Sequence, residues 1–153
     1  MSVYNNPSQL TTLNLGVKVS RATATLPQTA TGGLFTVTGG RVLVTAILGE
    51  VTVAIQNQAN NTKLVATPTT GSVNDLSGVV DVANLGVGGL LAPTGLAGDA
   101  LVKSTGGGIS LMRNPLAVAI GTIGLSCAAS NTGSVKWVLY FAAIDPGATV
   151  TAA

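Results

Sequence analysis

The side chains best able to do chemistry in this chain are few, and each lacks the companion its chemistry needs. Ser126 sits in Gly124-Leu125-Ser126-Cys127-Ala128, one glycine short of the G-x-S-x-G elbow that presents a nucleophilic hydroxyl on a strand-to-helix turn. The chain has no histidine. No Ser-His-Asp or Cys-His arrangement can therefore activate that hydroxyl or a thiol within one chain, and the usual histidine-containing zinc site is excluded too. Cys127, the single cysteine, lies in an apolar stretch. A thiol there reads as a small buried hydrophobe, because reactivity needs an electropositive setting. One cysteine also rules out an intrachain disulfide.

The carboxylates Glu50, Asp75, Asp81, Asp99 and Asp145 are dispersed along the chain. Their spacing forms no calcium loop and specifies no paired acid and base. Asp75 and Asp145 suit turns, where a carboxylate accepts backbone hydrogen bonds. Lys103-Ser104-Thr105-Gly106-Gly107-Gly108 reverses the order of a phosphate loop, whose glycines precede Lys-Ser/Thr and lead into a helix. It reads as a flexible loop. Trp137, Tyr140 and Phe141 cluster near the C-terminus. Alternation puts Val135, Trp137, Leu139 and Phe141 on one side as core, with Lys136, Val138 and Tyr140 facing out or toward a partner. No catalytic, cofactor-binding or metal-binding residue is assigned, and no cofactor is implied.

The elements that would carry these residues are short strands punctuated by Gly, Pro, Asn and Thr. Residues 34–38 alternate, Gly39-Gly40 makes a turn or bulge, and 42–48 is apolar or Thr throughout, as in a strand covered on both faces. Gly49 is expected to break that strand before alternation resumes at Val51, Val53 and Ile55. Residues 57–61 form a polar turn, and 63–67 a short strand ended by Pro68. The segment 71–108 reads as short strands and a long loop, with one helical turn near 75–81. Strands follow at 109–112 and at 116–129, the latter bent at Gly121 or Gly124. Asn131-Thr132-Gly133-Ser134 is a hairpin-type turn. Residues 135–144 form the last long strand, closed by Asp145-Pro146-Gly147. Strands at this spacing with almost no helix predict an all-β fold, a jelly-roll-like β-sandwich with an extended N-terminal segment and long loops.

Composition points the same way. Only 8% of the 153 residues are charged, seven basic and five acidic, against about 25% in ordinary proteins. Spread over roughly 7,000 Å² of surface, twelve charges leave most of the exterior neutral, which suits burial against copies of itself or a partner. The pI near 9.0 comes from a small excess of Lys and Arg. Lys18, Arg21, Arg41, Lys63, Lys103, Arg113 and Lys136 are scattered singly, so no cationic patch for nucleic acid is expected. The 46% hydrophobic content argues against disorder. The first seven residues show neither a basic nor an apolar signal region, and the 116–129 run is too short to span a bilayer. A cytoplasmically made protein without membrane contact is expected.

Two stretches carry a resemblance. Leu34-Phe35-Thr36-Val37-Thr38-Gly39-Gly40-Arg41-Val42-Leu43-Val44-Thr45 is one, and 135–153, from Val135-Lys136-Trp137 to Thr149-Val150-Thr151-Ala152-Ala153, is the other. Together they resemble small capsid decoration (cement) proteins of tailed bacteriophages. The resemblance implies a non-enzymatic virion protein on the outer capsid surface. It also implies self-association, as a trimer in preference to a dimer, and clamping of neighbouring major capsid subunits. Residues 1–28 are expected to form an N-terminal arm and first strand, either separate from or part of the main domain, and 29–153 the β-sandwich. Residues 2–28 read either as an extended arm lying along a neighbour or as a frayed terminus and an ordinary first strand. The alternative function is a host-recognition fibre or knob module binding a surface glycan or receptor. A further rival is an enzyme whose site assembles across subunits from scattered carboxylates such as Asp81 and Asp99.

Overall fold

The computed structural model describes residues 6–153. Two antiparallel sheets pack together as an all-β sandwich. The first contains β1 (Val17–Thr25), β3 (Val42–Val53), β7 (Leu90–Ala92), β8 (Val102–Ser104), β9 (Leu116–Val118) and β11 (Ser134–Ala143). Its order is β1-β11-β3-β7-β8, with β9 also on β3. The second contains β2 (Thr31–Thr38), β4 (Asn61–Pro68), β5 (Asn74–Asp75), β6 (Val80–Asp81), β10 (Gly121–Cys127) and β12 (Thr149–Ala152). Its order is β12-β2-β10-β4-β5, with β6 also on β4. One set of pairings is nested, β1 with β11, β2 with β10, β3 with β7 and β4 with β5, and the longer β3–β11 and β4–β10 ladders join these pairs into the two sheets.

The core follows from period-two alternation. Phe35 and Val37 of β2, Leu64 of β4, and Ile123 and Leu125 of β10 meet Val42, Val44, Ile47 and Val51 of β3 and Val135, Trp137, Leu139 and Phe141 of β11. The expected inward set on β11 is buried as read from the sequence. Gly49 does not break β3. It pairs directly with Trp137, and a Cβ added there would lie 2.8 Å from the Trp137 ring. The glycine makes room for the indole. Two bulges in β3, at Thr45 and Thr52, keep its core face in step with β11.

Several sequence expectations are corrected. Residues 75–81 form no helical turn: β5 and β6 both pair with β4 as separate short strands. Residues 109–112 are irregular. The 116–129 run is not one bent strand but two, β9 in the first sheet and β10 in the second, and the change of sheet falls just before Gly121. Gly124 marks a bulge in the β10–β2 ladder. Asn131-Thr132-Gly133-Ser134 leads from β10 to β11, strands of different sheets, so it is a crossover and not a hairpin turn. Short-range turn chemistry cannot distinguish a chain that doubles back from one that crosses the sandwich.

The N-terminal segment is not extended throughout. Residues 7–15 form α1 (Pro7–Leu15), opened by a capping box: the Asn6 side chain accepts from the Gln9 backbone N–H, and the Gln9 side chain accepts from that of Asn6. Pro7 at the first turn and Gly16 just past the end complete a start-and-stop signal that the sequence reading passed over. The expectations for residues 2–5 lie outside the described residues. Among the described residues no helix is long and apolar enough to cross a membrane.

Candidate functional site

The side chains singled out for chemistry are held apart by the fold. Ser126 is the next-to-last residue of β10, opposite Lys63 and Thr31. No strand-to-helix turn follows it, so the elbow geometry is missing. Cys127 is buried beside Thr62, whose hydroxyl donates to its sulfur at 3.6 Å. Burial pushes the thiol's pKa up, away from the thiolate form a nucleophile needs.

Each carboxylate is taken by a local partner. Glu50 pairs with Lys136 at 3.1 Å across β3 and β11, and Asp75 with Lys63 at 2.8 Å across β5 and β4. Asp81 accepts the backbone N–H groups of Asn60 and Ala83, which lower its pKa. Asp99 accepts from the Thr94 hydroxyl at 3.0 Å. Lys103 donates to the carbonyl of Asp81 at 2.7 Å, so its ammonium is tied to the β6 end. Among the described residues no three His, Cys, Asp or Glu side chains are grouped as a metal site.

Asp145 makes the most complete polar contact. Arg41, in the β2–β3 turn, donates its Nε, Nη2 and backbone N–H to the two Asp145 oxygens at 2.8–2.9 Å. The carbonyl of Arg41 accepts in return from the N–H groups of Ile144 and Asp145. This clasp ties the β2–β3 turn to the β11–β12 turn and holds the Asp145 pKa down to about 2, chiefly through the Arg41 side chain. The folded pKa lies below the unfolded value, so the contribution is fully present above about pH 4 and fades as pH falls through about 2. Asp145→Asn is therefore expected to lower the urea midpoint at pH 6, with the gap from the parent closing by pH 2. A gap of equal size at both pH values would show that the ionised carboxylate contributes nothing.

Among the described residues no pocket assembles reactive groups, so the faces of the sandwich become the candidate site, and the two differ. On the second sheet, cross-strand register aligns Thr151, Thr36, Thr122 and Thr67 in one row, with Thr149 beside Thr38 in the next. That face is a field of hydroxyls and methyls carrying the Lys63–Asp75 pair. On the first sheet, the outward rows are Lys18–Tyr140–Ala46, Ser20–Val138–Leu48, Lys136–Glu50–Leu90 and Ala142–Leu43–Ala117. This face is mostly apolar, unlike the polar outer face of a solvated antiparallel sheet. Part of the signal is in the sequence, since the 42–48 stretch is apolar or Thr on both sides, but of this face the sequence reading names only Tyr140, Val138 and Lys136.

One end of the sandwich gathers the 26–30, 56–60, 82–89 and 128–133 connections, laced together by neutral amides. The amide of Asn131 donates to the Gln58 carbonyl at 2.7 Å, and that of Gln28 to the Asn131 carbonyl at 3.0 Å. Asn60 exchanges hydrogen bonds with both backbone groups of Ala129. Sequence reading missed this cluster, since its members come from four separate connections. The whole chain exposes 7589 Å², roughly one charge per 600 Å², comparable to the largest apolar patch of a typical monomer. No protein-family model, curated protein or solved structure matches this chain.

Proposed function

We propose that this protein is a structural component of a phage virion. It decorates the outer capsid surface, self-associates, and stabilises the shell by clamping neighbouring major capsid subunits. The observation that carries this reading is the pair of broad sheet faces, one mostly apolar with Lys136 and Glu50 paired on it, the other lined with threonine with Lys63 and Asp75 paired on it. Such faces bury large areas without stranding unpaired ions, which is costly, and they supply no chemistry. A clamp needs none. Binding only the assembled shell shifts the equilibrium against rupture by mass action.

Two further features support it. The two stretches that carry the resemblance, 90 residues apart, form one unit: β2 pairs with β12, β3 with β11, and Arg41 clasps Asp145 between them. The nested pairing of β1 with β11, β2 with β10, β3 with β7 and β4 with β5 is that of a long hairpin rolled once, which supports the jelly-roll form of the sandwich. A trimer is preferred to a dimer on the resemblance. Nucleic acid, membrane and cofactors have no part in the function.

Sedimentation of the purified protein, alone and with capsids stripped of it, tests the reading. The expected result is an oligomer that co-sediments with capsids and raises their rupture temperature. A protein that ignores capsids and is retained on host cells or their surface glycans would replace it with the host-recognition reading.

A further inference from the structure

The outer face of the second sheet repeats one residue type in two directions. Thr151, Thr36, Thr122 and Thr67 stand side by side across β12, β2, β10 and β4. Two residues along the chain in each case come Thr149, Thr38, Ile120 and Thr69. Thr149 pairs with Thr38, and Thr69 bonds the Ile120 carbonyl through both its N–H and its hydroxyl. Seven of these eight positions are threonine. The chain has 20 threonines among 153 residues, so eight positions drawn at random would hold about one. Strand propensity alone does not select threonine, because valine, isoleucine, tyrosine and phenylalanine are favoured as strongly.

The hydroxyls of this grid are unspent. Elsewhere Thr23, Thr29, Thr45, Thr62 and Thr94 each bond another side chain or a carbonyl. Of the seven in the grid, only Thr69 bonds a protein group through its hydroxyl among the described residues. Nothing tall or charged stands inside the grid. The next outward positions of β2 and β10 are Gly33 and Gly124, which face each other without side chains. The Lys63–Asp75 pair lies outside it, on the β5 side. Strands are about 4.8 Å apart, and residues i and i+2 about 6.7 Å apart along a strand. A row across strands follows the axis about which a sheet twists, so its spacing survives the twist. Hydrogen bonds between hydroxyl-type oxygens are about 2.75 Å long. In a tetrahedral water network of such bonds, oxygens sharing a neighbour lie about 4.5 Å apart, and the stacking repeat is about 7.3 Å. The grid therefore matches the oxygen lattice of ice to roughly a tenth in both directions.

We propose that this threonine grid is a binding site for the surface of ice. Each hydroxyl takes the place of a lattice water, donating one hydrogen bond and accepting others, and the methyl beside it fills the space between lattice sites. β-Branching restricts each side chain at χ1, so the array has little rotamer freedom to lose on contact. A charged side chain would keep its own hydration shell and disrupt the lattice, and none of the eight positions is charged. Bound copies pin an advancing ice front. The front then grows only as curved surfaces between them, which freeze at a lower temperature. The inference goes beyond the proposed function and does not rest on it.

Ice growth in solutions of the purified full chain tests this. The expected result is faceted crystals and a gap between melting and freezing temperatures that widens with protein concentration. Thr36→Lys, at the centre of the grid, and Thr151→Lys, on its edge strand, are each expected to abolish the gap. Ser20→Lys, on the exposed side of β1 in the other sheet, is expected to leave it unchanged. Thr36 is half-buried, whereas Thr151 is exposed. T151K therefore keeps its fold, as circular dichroism checks, and decides the matter should T36K unfold. Ice that grows as it does in plain buffer overturns the proposal. So does a gap that survives in folded T151K or disappears in S20K. A parent that ignores ice but loses capsid binding on T151K also overturns it, and gives this face to the capsid.

Discussion

Gly49→Ala is expected to destabilise the protein by about 1–3 kcal/mol, and the loss is expected to vanish when Trp137 is also replaced. The added Cβ would lie 2.8 Å from two ring carbons of Trp137 and 3.0 Å from a third. The ring cannot step aside, because it is 1% exposed and locked in the central cluster. Forcing a methyl into a filled core typically costs about 1–3 kcal/mol. Trp137→Ala alone removes the largest buried side chain and is expected to cost about 3–5 kcal/mol. In that background the Gly49 methyl grows into the space the indole left, so the second substitution should be neutral or stabilising. Urea unfolding followed by circular dichroism measures all four proteins of the cycle. The single tryptophan also reports the repacking of G49A by fluorescence. Additive losses within about 0.5 kcal/mol would mean that the glycine serves some purpose other than seating the ring.

Gly121→Ala is expected to be at least as damaging, for a different reason. Gly121 opens β10 where the chain leaves the first sheet for the second, and its φ is +150°. A side chain there is strained by about 1–3 kcal/mol. The new Cβ would also press into the Thr67 carbonyl oxygen and lie 2.6 Å from the Pro68 Cα. Those are backbone atoms of the partner strand β4, so relief requires prising β4 from β10. Strain and crowding together put the expected loss at about 3 kcal/mol or more. Gly86→Ala is the control: nothing lies within 4 Å of its Cβ position and its φ lies outside the left-handed range. It should be neutral or slightly stabilising. Equal thermal midpoints for G121A and G86A would refute the account of the sheet switch.

Alternation and turn chemistry made much of the molecule readable from its residues. The inward set Val135, Trp137, Leu139 and Phe141, the all-β class and the Asp145-Pro146-Gly147 turn, with Gly147 at φ +82°, all follow from local rules. The errors share one origin. Gly49 was read as a breaker because its purpose, the indole on the next strand, lies 88 residues away. The 116–129 run was read as one strand because the partners that divide it, β3 and β4, are not its neighbours in sequence. The 131–134 turn has hairpin composition, yet its flanking strands belong to different sheets.

The amino-acid sequence by itself determined the alphabet of the protein: strands with little helix, no histidine, and only 8% charged residues. These depend on residue types and on contacts within a few positions. Tertiary structure alone decided which side of the 42–48 stretch of β3 is core, since that stretch is apolar or Thr throughout and period two cannot choose between its sides. It also left Leu10 and Leu13 of α1 exposed. The choice of face is settled by long-range register, where a one-residue shift exchanges inside for outside.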